Sequence, residues 1–192
     1  MLFYIGLGIG IVLAAVYCWV AIKKAYDKGE TLPRYVAIAI WTMDTSHFLL
    51  VTWASLYSVW ILPFNKTIAS IAGLVATVIG LVVMLAGIIE FRSLRKMSGM
   101  DVSRFITTGT YRYSRNPQYF GWFAMLFGIS LMGRSGLAFL LTIVFVIGIH
   151  LYTIWLEEPF LERIFGDEYR LYKSRTPRYA GIPKEGREKC KA

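Results

Sequence analysis

The stretch GTYRYSRNPQYFGW, residues 109–122, decides how the second half of the chain is read. It places Arg112, Arg115, an Asn-Pro step and the tyrosines 111, 113 and 119 directly before an apolar run. Asn116 is a favoured helix N-cap, and Pro117 suits the first helical position, where its missing N–H costs nothing. A helix therefore starts at Pro117. The apolar run from Tyr119 to Leu156 is too long for one membrane crossing and is interrupted by Gly133, Arg134, Ser135 and Gly136. It reads as a tight helical hairpin. Its first arm is short: Tyr119 to Gly133 makes about 22 Å of helix, against a hydrocarbon core of roughly 30 Å, and starting at Pro117 lengthens it.

Upstream, Leu2 to Ile22 contains no charge, and Tyr35 to Leu62 and Thr67 to Ile89 are further apolar runs. With the hairpin, this predicts an all-α, polytopic membrane protein of about five transmembrane helices, with short cytosolic amphipathic helices after them. The composition agrees: 56% of residues are hydrophobic, only 17% are charged, and the apolar residues come in blocks instead of stripes. No basic segment or small-residue cleavage site accompanies the first run, which is read as a permanent span and not a signal peptide. No repeat or linker divides the chain. It is read as a single domain over 1–192, with three spans in 1–89 and a loop, hairpin and tail in 90–192.

All lysines and arginines except Lys66 and Arg134 fall in the loop after the first span, the loop after the third, or the tail. By the positive-inside rule the N-terminus is outside and the C-terminus cytosolic, in the cell membrane if the source is prokaryotic. The net charge of +9 thus reads as an orientation signal and an attraction to anionic lipid, with no nucleic-acid partner. Cys18 and Cys190 are too far apart in character and position to suggest a disulfide framework, and no metal site is indicated.

Ionisable groups within or beside spans are costly and point to function by default. Asp44 and His47 share a face of the second span, either bonding each other or lining a polar path. His150 precedes Glu157 by seven residues on one face; it is either a packed span residue or a base. Glu157 and Glu158 stand where the helix leaves the membrane, just before Pro159. Either Arg163 and Arg170 neutralise them or a cationic ligand does. Glu90, ending the third span, is either paired with Arg92 or Arg95 or available as a base. The tail segment from Glu157 has apolar residues at helical spacing, with Gly166 ending one short helix and Asp167 capping the next.

Together, GTYRYSRNPQYFGW and the later EEPFLERIFGDEYRLYKSRTPR resemble the isoprenylcysteine carboxyl methyltransferase and phospholipid methyltransferase superfamily over residues 103–178. That group shows G-x-Y-x-x-x-R-H-P-x-Y-x-G, a hairpin, then E-E-x-x-L-x-x-x-F-G-x-E-Y-x-x-Y. The resemblance implies an integral-membrane methyltransferase that uses S-adenosylmethionine, releases S-adenosylhomocysteine and acts on a lipophilic small molecule or a lipid. Its implied cofactor contacts are Ser103, Arg104, Phe105, Ile106, Tyr111, Arg115, Asn116, Pro117, Gln118, Tyr119, Glu157 and Glu158. Membrane lipids and a lipophilic methyl acceptor are the implied partners. Two departures matter. Asn116 replaces a histidine and cannot titrate near neutrality, leaving Glu90, His47 and His150 as base candidates. Thr153 stands where the prenylcysteine branch has a carboxylate-binding arginine. The alternatives are the phospholipid or thiol branch, a nicotinamide-dependent reductase of the sterol type, and a non-enzymatic scaffold that docks a partner through its tail.

Overall fold

The computed structural model describes residues 2–103 and 105–184. Arg104 and Cys190, both singled out above, lie outside the described residues. Seven α-helices follow in order: α1 (Leu2–Asp27), α2 (Arg34–Leu56), α3 (Lys66–Phe91), the single turn α4 (Leu94–Met97), α5 (Pro117–Met132), α6 (Gly136–Tyr152) and α7 (Glu158–Arg175). A 3-10 turn at Gly109–Arg112 precedes α5, and a π-turn at Thr153–Glu157 joins α6 to α7.

Four helical segments are long and apolar enough to cross a membrane. They are Gly8–Asp27, Arg34–Leu56, Lys66–Phe91 and the continuous stretch Gly136–Arg175, whose apolar part ends at Leu156. The 16-residue α5 is about 24 Å long and falls short of a full crossing. It begins at Pro117, and its hairpin with α6 turns through Arg134 at φ 48. The second apolar run is helical for less of its length than its composition suggests. Residues 57–62 leave α2 because Ser58 and Trp60 take positive φ, and they pair with the hairpin turn instead. Leu62 N–H donates to the Arg134 carbonyl at 2.8 Å, and Gly136 N–H to the Trp60 carbonyl at 2.8 Å.

Small residues position α5. Gly73, Gly80 and Gly87 of α3 recur every seventh residue and face the end, middle and start of the antiparallel α5, respectively. A Cβ on Gly80 would strike the backbone of Gly121, Ala124 and Met125, while one on Gly121 would strike the backbone of Gly80 and Met84. This close approach replaces the hydrophobic drive that lipid removes. Gly87 abuts Pro117 and Gln118, so the same seam fixes where α5 begins. Across the bundle, Ser55 Oγ donates to the Ile129 carbonyl at 2.5 Å, and the hydroxyls of Ser130 and Thr142 meet at 3.2 Å inside the hairpin.

At the other end a second cluster joins α1, α2 and the start of α7. It contains Cys18, Ile22, Tyr26, Val36, Leu156 and Phe160, with Tyr26 stacked on Phe160 at 3.9 Å between centroids. The loop of residues 92–116, the π-turn and α7 therefore gather at the end of the bundle where α1 finishes and α2 starts.

Candidate active site

Glu90, at the end of α3, organises the loop. Its Oε1 accepts hydrogen bonds from the Thr110 backbone N–H at 2.6 Å and the Thr110 hydroxyl at 2.8 Å. Gly109 is at φ 58 with the Glu90 carboxylate where a Cβ would stand, so only glycine fits there. The 3-10 turn this creates drives Tyr111 inward, where it is buried. Its hydroxyl donates to Gln118 Oε1 at 2.6 Å, and its carbonyl accepts from the Tyr172 hydroxyl at 2.7 Å. Burial is the main reason its phenol is pushed well above the usual range, with the Glu157 charge adding to it.

The tail folds back over the start of α5. Arg115 N–H donates to the Pro177 carbonyl at 2.9 Å, and Asn116 Nδ2 donates to the Arg178 carbonyl at 3.2 Å. Asn116 occupies the N-cap position, yet its side chain makes no capping bond because the tail claims it. The first turn of α5 is thus left without a side-chain cap.

Three cations converge on Glu158. Arg178 binds it at 2.7 and 3.1 Å, Arg115 Nη1 lies 2.9 Å from Oε1, and Lys173 Nζ lies 3.1 Å from Oε2. Burial alone would push the Glu158 carboxyl up, but Arg178, Arg115 and Lys173 outweigh it and hold it below the usual carboxylate value. Lys173 also pairs with Glu162 at 2.5 Å.

Glu157 lies just past the apolar part of the helix and is in the opposite state. Its Oε2 is buried with no hydrogen-bond partner. Burial first, and then the charge of Glu158, push its carboxyl up to about 7, against smaller opposing effects of Thr153 and Arg115. Its charge reaches the hydroxyls of Tyr26, Tyr111, Tyr119 and Tyr152, and the Tyr26 and Tyr152 hydroxyls meet at 3.2 Å. Arg115 Nε is likewise buried without a hydrogen-bond partner. A carboxylate oxygen and a guanidinium N–H without partners can receive a ligand bearing both charges.

The hairpin brings Asn116, Pro117, Gln118 and Tyr119 to the same end of the bundle as Glu157 and Glu158, and Arg115 touches Glu158 directly. Phe105 packs among Phe165, Tyr169 and Tyr172 at 4.8 to 5.5 Å, with the half-buried Ile106 beside it. Ser103 is peripheral, its N–H donating to Asp101 Oδ1 at 2.9 Å. Several expected pairings do not form. Glu90 takes Thr110 and not Arg92 or Arg95. Arg163 donates to the carbonyls of Tyr26 and Asp27, and Arg170 pairs with Asp167, so neither neutralises Glu157 or Glu158. His47 does not bond Asp44; its Nε2 meets the Leu141 carbonyl at 3.2 Å and its ring stacks on Phe145. His150 Nδ1 meets the Tyr179 hydroxyl at 2.8 Å. Lys173 and Arg178 were given no role by the sequence reading, although Arg178 ends the second motif; only the fold-back of the tail brings it to Glu158.

A family model described as phospholipid methyltransferase matches residues 68–168, just over half of the chain. The chain belongs to the phospholipid methyltransferase family. The matched segment runs from the first turn of α3 into the middle of α7, and so contains Glu90, Asn116 and both Glu157 and Glu158. No curated protein and no solved structure matches the chain. Membership in a family of methyltransferases, on a bundle with four helices of membrane-crossing length, makes this a membrane methyltransferase in class.

Proposed function

We propose that the protein transfers the methyl group of S-adenosylmethionine to a lipophilic small molecule or lipid, with the methyl donor held at the end of the bundle that carries Glu157. The observation that carries this reading is a pair of buried, unsatisfied groups of opposite sign, Glu157 Oε2 and Arg115 Nε, beside the uncapped start of α5. The residues fit the donor's amino-acid end. Glu157 receives its ammonium, while Arg115 and the free N–H groups of the first α5 turn receive its carboxylate. Tyr111, Phe105, Tyr169 and Tyr172 offer aromatic surface for its base. The cofactor supplies an electrophilic methyl on a sulfonium.

The chain's own part is alignment and exclusion of water. The tail contributes by closing over Asn116 and by neutralising Glu158, so that only Glu157 of the two adjacent carboxylates remains open to a cation. Both halves of the chain supply groups to the chamber, which supports reading 1–192 as one unit. The positive-inside distribution supports a cytosolic position for this end, reached by the donor from water and by the acceptor laterally from lipid.

Calorimetric titration of S-adenosylhomocysteine into the purified protein in phosphatidylcholine nanodiscs tests this. The wild type binds, and Glu157→Gln weakens binding at least tenfold. A wild-type protein that is helical by circular dichroism and gives no binding refutes the reading.

A further inference from the structure

Besides Glu157, five buried or half-buried acidic or histidine side chains are told apart by their partners. Glu90 takes Thr110 through Oε1, Glu158 takes three cations, His47 meets the Leu141 carbonyl and His150 meets Tyr179, although Glu90 Oε2 and His47 Nδ1 are themselves unpartnered. Asp44 has none of this. Its Oδ1 is buried without a hydrogen-bond partner, and among the described residues no lysine or arginine forms an ion pair with it. It sits ten residues into α2, about 15 Å of helix from Arg34, so it lies deeper than Glu157, which stands beyond the apolar part of its own helix. Its charge reaches Cys18 of α1 and Tyr119 of α5. Tyr119 also feels Glu157, so the same tyrosine lies within electrostatic reach of both carboxylates.

We propose that Asp44 recognises the methyl acceptor, taking a hydrogen bond from an amine head group at the membrane end of the chamber. The inference rests on the donor reading above, which gives the other end to Glu157. A carboxylate at this depth with no protein partner is expensive, and a cationic or N–H ligand relieves that cost. The faces of Tyr119, Tyr26 and Tyr152 add attraction for a cation. A carboxylate acceptor would instead meet a like charge. Asp44 lies before the family-matched segment begins at residue 68, so family membership assigns it nothing.

Binding without the methyl donor supplies the test. Dodecylamine and dodecanoate serve as single-chain probes of opposite charge, added to protein in phosphatidylcholine nanodiscs and read by thermal stability. Wild type is stabilised by dodecylamine more than by dodecanoate. Asp44→Asn loses at least tenfold in apparent affinity for the amine, and Asp44→Glu recovers part of it. Without ligand, Asp44→Asn melts no lower than wild type, because an unpaired buried charge has been removed; a purely structural aspartate would give the reverse. S-adenosylhomocysteine binding stays within twofold in Asp44→Asn. Equal stabilisation by the amine in wild type and Asp44→Asn overturns the proposal, as does equal stabilisation of wild type by amine and dodecanoate. A wild type that binds the amine through Asp44 but not S-adenosylhomocysteine sinks the donor reading and with it the acceptor role, while amine recognition by Asp44 stands.

Discussion

Replacing Glu158 by Gln removes the single anion on which Arg115, Lys173 and Arg178 converge. The three cations do not suffer equally. Arg178 and Lys173 are 26% and 36% exposed at the side chain and can turn to water or to Glu162, whereas Arg115 is 7% exposed and has nowhere to go. The loss is therefore set by one stranded buried guanidinium, about 3–5 kcal/mol. For a chain of this length that lowers the melting temperature by about 6–20 °C. The assay is thermal unfolding followed by circular dichroism in a fixed detergent. Arg115→Met combined with Glu158→Met removes both buried charges and recovers most of the loss, because well-packed apolar replacements of a buried pair are close to neutral. The same double variant fails to bind S-adenosylhomocysteine, since Arg115 has a ligand to hold. A Glu158→Gln protein that melts within about 2 °C of wild type refutes the account, and so does a double variant as unstable as the single one.

Three further outcomes follow from the same geometry. Glu157 has its carboxyl raised to about 7 in the fold against 4.5 for the free group, so the folded state holds its proton longer. Stability then falls as pH rises from about 4.5 to 7, by on the order of 3 kcal/mol, and flattens above it; urea titrations across that range show the slope in wild type and its loss in Glu157→Gln. Gly80→Ala puts a methyl into the α5 backbone and costs about 1–3 kcal/mol, seen as a lower melting temperature; no change would mean that α3 and α5 are not in contact there. Glu90→Ala strands the Thr110 N–H and hydroxyl and costs about 1–3 kcal/mol, while Glu90→Gln, which keeps the acceptor oxygen, costs less than half as much in the same melt.

The helices were legible because long charge-free runs leave few other choices, and the hairpin because Gly133 to Gly136 interrupts one of them. The start of α5 at Pro117 was legible from cap chemistry alone. What the sequence concealed is long-range. Residues 57–62 are apolar enough to continue α2, and only their pairing with the hairpin turn shows why they do not. The glycines at 73, 80 and 87 were present at a seven-residue spacing, but a spacing has no meaning until a partner helix supplies Gly121 and Gly128. Near the site, motif order correctly brought Asn116 and Glu157 to one end. It misjudged the ion pairs, because Arg163 and Arg170 are near the glutamates in sequence while Arg115 and Arg178 reach Glu158 only through folding. Asp44 and His47 share a helix face and a sequence neighbourhood, yet His47 turns to α6 and leaves Asp44 alone.

The groups proposed for donor and acceptor divide in part along the family match, Tyr169 and Tyr172 of the proposed donor end lying just beyond residue 168. Residues 68–168 hold Arg115, Asn116 and Glu157, which the proposed function places at the methyl donor, together with Glu90 and Glu158, which hold Thr110 and the three cations. Tyr26 and Asp44, on α1 and α2 respectively, fall outside it, as do Lys173 and Arg178 in the tail. On the proposed reading, a donor side under one constant chemical demand keeps a recognisable pattern, and an acceptor side shaped to one substrate does not. Exchanging α1 and α2 for those of another family member should therefore change which lipid-soluble amine binds while leaving S-adenosylhomocysteine affinity within about threefold, a change of under 1 kcal/mol. A swap that abolishes S-adenosylhomocysteine binding in a helical, monodisperse protein would place donor contacts on α1 or α2 and break the division.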